Sequence, residues 1–133
     1  MAKKNEAAAR HARYSAALDK AHVAACAAQR DENGVMLKEN MNAFDCGFAW
    51  VVTRDLSFNG WCSRQLKASR GADGRGFGDR KFGDKHYAGG WCFWSPGDFN
   101  GQAIGIKEKG ARAFAETLQR ELGIYAETSS RLD

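Results

Sequence analysis

The stretch Asp45–Thr53, Asp-Cys-Gly-Phe-Ala-Trp-Val-Val-Thr, decides the fold. It is a dense apolar run with a β-branched end, bracketed by charge at Asp45 and Arg54. That pattern predicts a strand over Ala43–Thr53. Reading outward, Ser57-Phe58-Asn59-Gly60 leads into a short helix whose Phe58, Trp61, Cys62 and Leu66 share one face. Gly71 stops that helix, and Gly71–Gly83 reads as an exposed loop with five glycines and five charges. A second strand is expected over His86–Ser95, with Trp91, Phe93 and Ser95 on one face and Cys92 and Trp94 on the other. Pro96–Gly101 is a turn, and Gln102–Ile106 is expected as a short third strand. Lys107–Leu122 is expected as a helix with Ala111, Phe114, Ala115, Leu118 and Leu122 on its apolar stripe and Gly123 closing it. Ile124–Arg131 is the closing strand. The order βαββαβ predicts an α+β, ferredoxin-like sheet with two helices on one face.

Upstream, residues 2–30 read as an Ala-rich helix without Gly or Pro. Tyr14, Leu18, Ala21, Ala25 and Ala28 form one narrow apolar stripe that buries little area alone. The helix must therefore dock on its own domain, pair with a second copy or lie on a larger assembly. Asp31-Glu32-Asn33-Gly34 ends it, and Val35–Asn42 is a connector or a further helical turn. This divides the chain into a basic helical arm and connector (1–40) and a small α+β domain (41–133).

Composition narrows the function. The chain has 133 residues and a net charge of +4. Residues 1–30 hold six Lys/Arg and two acids, while 31–133 hold 14 of each sign. Within the latter, Arg64–Lys85 holds seven bases and three acids. Two basic zones on a nearly neutral body fit an anionic partner, although a scattered, solvated surface explains the same numbers. No apolar run approaches the roughly 20 residues that cross a bilayer. The start lacks an apolar signal-peptide core, so a cytoplasmic protein with no membrane partner is expected. Cys26, Cys46, Cys62 and Cys92 form no C-x-x-C pair, and buried reduced thiols are expected rather than zinc ligands. No cofactor is implied. His11, His22 and His86 stand near no evident nucleophile, and no acids cluster with motif spacing, so an enzyme is not expected.

The loop offers the clearest binding chemistry. Arg70, Arg75, Arg80, Lys81 and Lys85 interleave with Phe77 and Phe82. Cations of this kind follow a phosphate backbone while aromatics stack on bases, and glycines let the chain conform. Asp73, Asp79 and Asp84 dilute that field. Gly74, Gly76 and Gly78 do not make a dinucleotide or Walker motif.

Gly47-Phe48-Ala49-Trp50-Val51 resembles the core of an RNA-recognition-motif signature strand, in which alternate aromatics stack on unpaired bases. In that family the signature lies on the third strand and opens with a basic residue, where this chain has Cys46 on the first. The weightier reading is that Phe48 and Trp50 line the core. Further blocks, Cys46–Val51, Gly89-Gly-Trp91 with Trp94-Ser-Pro96, Gly110–Ala115 and Ser130–Asp133, together resemble a family of small bacteriophage proteins over roughly residues 43–133. That resemblance implies a phage origin and a host-directed or virion-associated role, and transfers no active site. The leading expectation is a non-enzymatic phage accessory protein in the host cytoplasm, binding nucleic acid or a host complex, such as a defence system. A virion or oligomer component assembled through the N-terminal helix is the alternative. A nucleotide binder using Trp91, Trp94, Phe99 and Arg112 is the third.

Overall fold

In a computed structural model, the structure describes residues 2–38, 46–71 and 73–133. Helix α1 spans Ala2–Ala28, strand β1 Gly47–Thr53, helix α2 Leu56–Ala68, strand β2 Asp84–Lys85, strand β3 Trp91–Trp94, helix α3 Ile104–Leu122 and strand β4 Ala126–Leu132. A 3-10 turn covers Arg80–Phe82. Among the described residues the protein is α+β, with three helices and one four-stranded antiparallel sheet in the order β2-β3-β1-β4.

The apolar, β-branched β1 is central because both its edges are paired. Val51 lies opposite Phe93 of β3 on one side and Thr128 of β4 on the other. Ala49 and Val51 point at the helices and are fully buried. The exit from β1 is fixed by polar chemistry. Asp55 caps α2 by accepting from the Phe58 amide at 2.8 Å. Asn59 reaches back, donating to the Thr53 carbonyl at 2.8 Å and accepting from the Thr53 hydroxyl at 2.7 Å.

One core takes side chains from every layer. The expected faces of α2 (Phe58, Trp61, Cys62, Leu66) and α3 (Ala111, Phe114, Ala115, Leu118) are buried in it. Phe93 links them, with ring centroids 4.9 Å from Phe114 and 6.1 Å from Phe58. Tyr14, Ala17, Leu18, Ala21 and Ala25 of α1 join the same core. The apolar stripe of α1 is thus occupied within its own chain, on the helical side of the sheet, with its most extensive contact along α3. Small residues on both helices permit that close approach.

The C-terminal end of α1 is locked by Gln29, which is 1% exposed. Its Nε2 donates to the carbonyls of Pro96 at 3.2 Å and Ile106 at 3.3 Å. Its Oε1 accepts from the amides of Asp98 at 3.0 Å and Phe99 at 3.1 Å. Beside it, Arg30 makes a bidentate pair with Asp98 at 2.8 and 2.6 Å. The Arg30 guanidinium holds the Asp98 carboxyl below its usual range. Gly97 (φ +107°) and Gly110 leave room for the Gln29 side chain, which a Cβ at either position would strike. Asp31 then closes a turn, accepting from the amides of Asn33 and Val35.

Three expectations change. Gln102–Ile106 is not a strand, since α3 begins at Ile104. Ile104 and Ile106 alternate like a strand, but Ile106, Gly110, Ala111 and Phe114 follow the helical period that wins. A single bridge, Cys46 to Ala103, is what pairs there. The strand expected over His86–Ser95 is confined to Trp91–Trp94, with the anticipated faces, because Gly89 (φ +96°) and Gly90 (φ +84°) turn the chain before it. Asp84–Lys85, taken as loop, forms the short edge strand β2. The proposed start of the first strand, Ala43–Asp45, and the Glu39–Asn42 part of the connector lie outside the described residues.

Candidate nucleic-acid interface

The basic segment is anchored from several sides. Asp79 accepts from the Lys81 amide at 3.0 Å, and its own amide donates to the Ser69 hydroxyl at 2.7 Å. Trp91 Nε1 donates to the Phe82 carbonyl at 2.6 Å. His22 Nε2 of α1 bonds the Lys81 carbonyl at 2.9 Å. Burial in this contact lowers the His22 pKa, so the neutral ring is favoured as donor to that carbonyl. The Phe82 ring packs edge-on against Trp61 at 5.8 Å. The 3-10 turn is therefore fixed while Arg80 and Lys81 project into solvent.

Beside this turn a groove of about 520 Å³ runs along the β2 edge, lined among others by Phe77, Arg80, Lys85, His86, Tyr87 and Trp94. Phe77 is 99% and Tyr87 90% exposed, so two aromatic faces are free at its rim. A second groove, of about 300 Å³, has Arg80 and Trp94 in common with the first and adds His22, Lys81, Phe99 and Asn100. Arg80 stands where the two meet.

The seven residues expected to bind nucleic acid separate in space. Phe77, Arg80 and Lys85 converge on the first groove, and Lys81 joins Arg80 in the second. Phe82 lies apart from the grooves, half-buried with its ring against Trp61 at the core's edge. Arg75 is exposed on the loop and lines neither groove, as its amide folds back onto Asp73 at 3.1 Å. Arg70 is half-buried outside both grooves. Of the four residues considered for a nucleotide pocket, Trp94 and Phe99 share the second groove, while Trp91 is in the core and Arg112 is exposed on α3.

The opposite sheet face holds what the loop-centred reading underweighted. Phe48 and Trp50 point away from the helices, so the reading that they line the core is overturned. Alternation sets this: Ala49 and Val51 take the inward positions, which leaves the two rings outward. Trp50 lies opposite Trp94 and stacks on it at 5.3 Å with 13° between planes. Phe48 lies 5.5 Å from Trp94. Lys107 Nζ sits 5.1 Å and the Arg131 guanidinium 5.7 Å from the Phe48 ring centroid. Lys107 is held there by donating to the Gly47 carbonyl at 2.8 Å.

Of the four thiols expected to be buried, Cys62 and Cys92 are, while Cys26 and Cys46 are half-buried. Burial pushes Cys92 up to about 11 and raises Cys62 further. Among the described residues no three His, Cys, Asp or Glu side chains are grouped to hold a metal, and no helix is long and apolar enough to cross a membrane. Comparison with known protein families, curated proteins and solved structures found no match.

Proposed function

We propose that this protein is a non-enzymatic nucleic-acid-binding protein, a phage accessory factor acting in the infected cell. One observation carries the reading: three cation and aromatic side chains expected to contact nucleic acid, Phe77, Arg80 and Lys85, line one groove together with Tyr87 and Trp94. The cations suit phosphates and the exposed rings suit bases. Alongside this we read the sheet order β2-β3-β1-β4, with α2 and α3 as crossovers, as a ferredoxin-like βαββαβ arrangement in which β2 is very short and α1 adds a third helix to the covered face. The bacteriophage resemblance supports a role in the host cytoplasm.

The test is a titration with a single-stranded and a duplex oligonucleotide at several salt concentrations, comparing the native protein with Arg80→Ala/Lys85→Ala. Two lost phosphate contacts flatten the salt slope for a single strand by about 1.4 and weaken binding. An unchanged slope and affinity refute the groove as the phosphate track.

A further inference from the structure

The candidates outside the groove are the sheet face away from the helices, the exposed first turns of α1, and the thiols. Burial keeps Cys62 and Cys92 protonated, burial beside Asp98 does the same for Cys26, and the first turns of α1 offer only charge. The sheet face combines several independent features.

Phe48, Trp50 and Trp94 form a contiguous aromatic row on the two central strands. Trp94 is 47% exposed. Phe48 and Trp50 beside it are half-buried, so each keeps part of its ring open, and adjoining apolar area of this kind marks a contact surface. Its rings lie on paired, hydrogen-bonded strands rather than on a loop, so they are pre-positioned. The Phe48 end is positive, with Lys107 and Arg131 against the ring. The other end carries acids on the same face: Glu127 is opposite Val52, and Asp84, opposite Cys92, also lines the first groove. Trp94 also lines both grooves, so the row is continuous with Arg80 and Lys85.

We infer that the face of the sheet opposite the helices is a base-stacking platform for single-stranded nucleic acid, with unpaired bases on Phe48, Trp50 and Trp94 and Arg131 near the phosphates. The inference rests on the nucleic-acid reading of the groove and extends it: the groove tracks backbone charge, and the platform demands bases that are free to stack. Duplexes keep their bases paired and present edges, so the platform excludes them. A second copy of this chain is the competing occupant, and the experiment separates the two.

The experiment titrates full-length protein with a ten-residue oligothymidylate, the matching oligouridylate, a duplex, and inorganic polyphosphate, which carries charge without bases. Variants are Phe48→Leu and Trp50→Leu, which touch the platform and not the groove, and Trp94→Phe, which keeps a ring. Circular dichroism checks folding. Stacking predicts that each Leu variant loses roughly 5- to 100-fold in affinity for the single strands, that polyphosphate binding is unchanged, and that Trp94→Phe stays near native. Tryptophan fluorescence of the native protein should quench on binding, since Trp61 and Trp91 are buried and Trp50 and Trp94 are the accessible reporters. Relative affinity for the two single strands tells whether RNA or DNA is preferred. If single strands bind but both Leu variants stay within twofold of native, the platform is wrong and the groove stands. If light scattering shows a dimer that Trp50→Leu dissociates, a second copy covers the face and the platform is again wrong. If neither oligonucleotides nor polyphosphate bind, both readings fall.

Discussion

Replacing Gln29 by Ala removes one buried side chain and, with it, four hydrogen bonds that join α1 to the turn after β3 and to α3. The two carbonyls suffer less, since each has a second lone pair. The amides of Asp98 and Phe99 lose their acceptor, at about 1–3 kcal/mol each where water cannot reach. The vacated side-chain volume adds a further penalty. The expected loss is about 3 kcal/mol. With an unfolding entropy near 2.1 cal/mol/K per residue, that lowers Tm by about 10 °C in a chain of this size. Urea unfolding monitored by circular dichroism, alongside a thermal scan, measures both. Arg30→Ala is the control: its pair with Asp98 is shorter and bidentate but lies at the surface, where solvent screens it, so it should cost clearly less. A Gln29→Ala variant within 0.5 kcal/mol of native, or an Arg30→Ala variant that costs more, refutes the argument that the buried neutral amide, not the visible ion pair, holds α1 in place.

Gly110→Ala should destabilise by more than about 1 kcal/mol even though Ala is the better helix former, because its Cβ meets Gln29 and the Pro96 carbonyl; a gain in stability by urea denaturation would contradict this packing. Phe114→Ala should cost about 3–5 kcal/mol, since the ring is fully buried between Phe93 and His22, and a loss under 1 kcal/mol would mean the core is placed wrongly. The lowered His22 pKa means the unfolded chain binds the proton more readily, so its stabilisation is present above pH 6.5 and is lost as pH falls through the folded value; the Tm drop between pH 7.5 and 5.5 should be smaller in His22→Gln than in native protein. In the native state at pH 8, a thiol reagent should leave Cys62 unlabelled until denaturant is added, and its rapid labelling would show the core to be open.

Much of the fold was legible because burial and periodicity agree. The inward faces of α2 and α3 follow the 3.6-residue period, and both turn up buried as read. The start of α3 was hidden because Ala103 offers no capping oxygen and Ile104-Gly105-Ile106 alternates like a strand. The two-residue β2 has no apolar signal: Asp84 and Lys85 are exposed, and only the turn at Gly89 and Gly90 brings them beside β3. Charge spacing marked the loop as the binding segment, yet could not separate Phe77, which is free, from Phe82, which packs on Trp61. The sheet-face row was half visible. Phe48 and Trp50 alternate with small or branched residues, but which side of β1 meets the helices depends on partners far along the chain.

The docking of α1 on α3 has a consequence for how the chain is made. At about 5–20 residues per second, α3 leaves the ribosome roughly 5–20 seconds after α1. Until then the narrow alanine stripe of α1 has no α3 to pack along, and Gln29 lacks the Ile106 carbonyl. The first element synthesised is therefore among the last to be fixed. A chain interrupted before Ile104 carries an exposed basic helix and an uncovered β1, which makes the final quarter of translation the step that commits this protein to its structure.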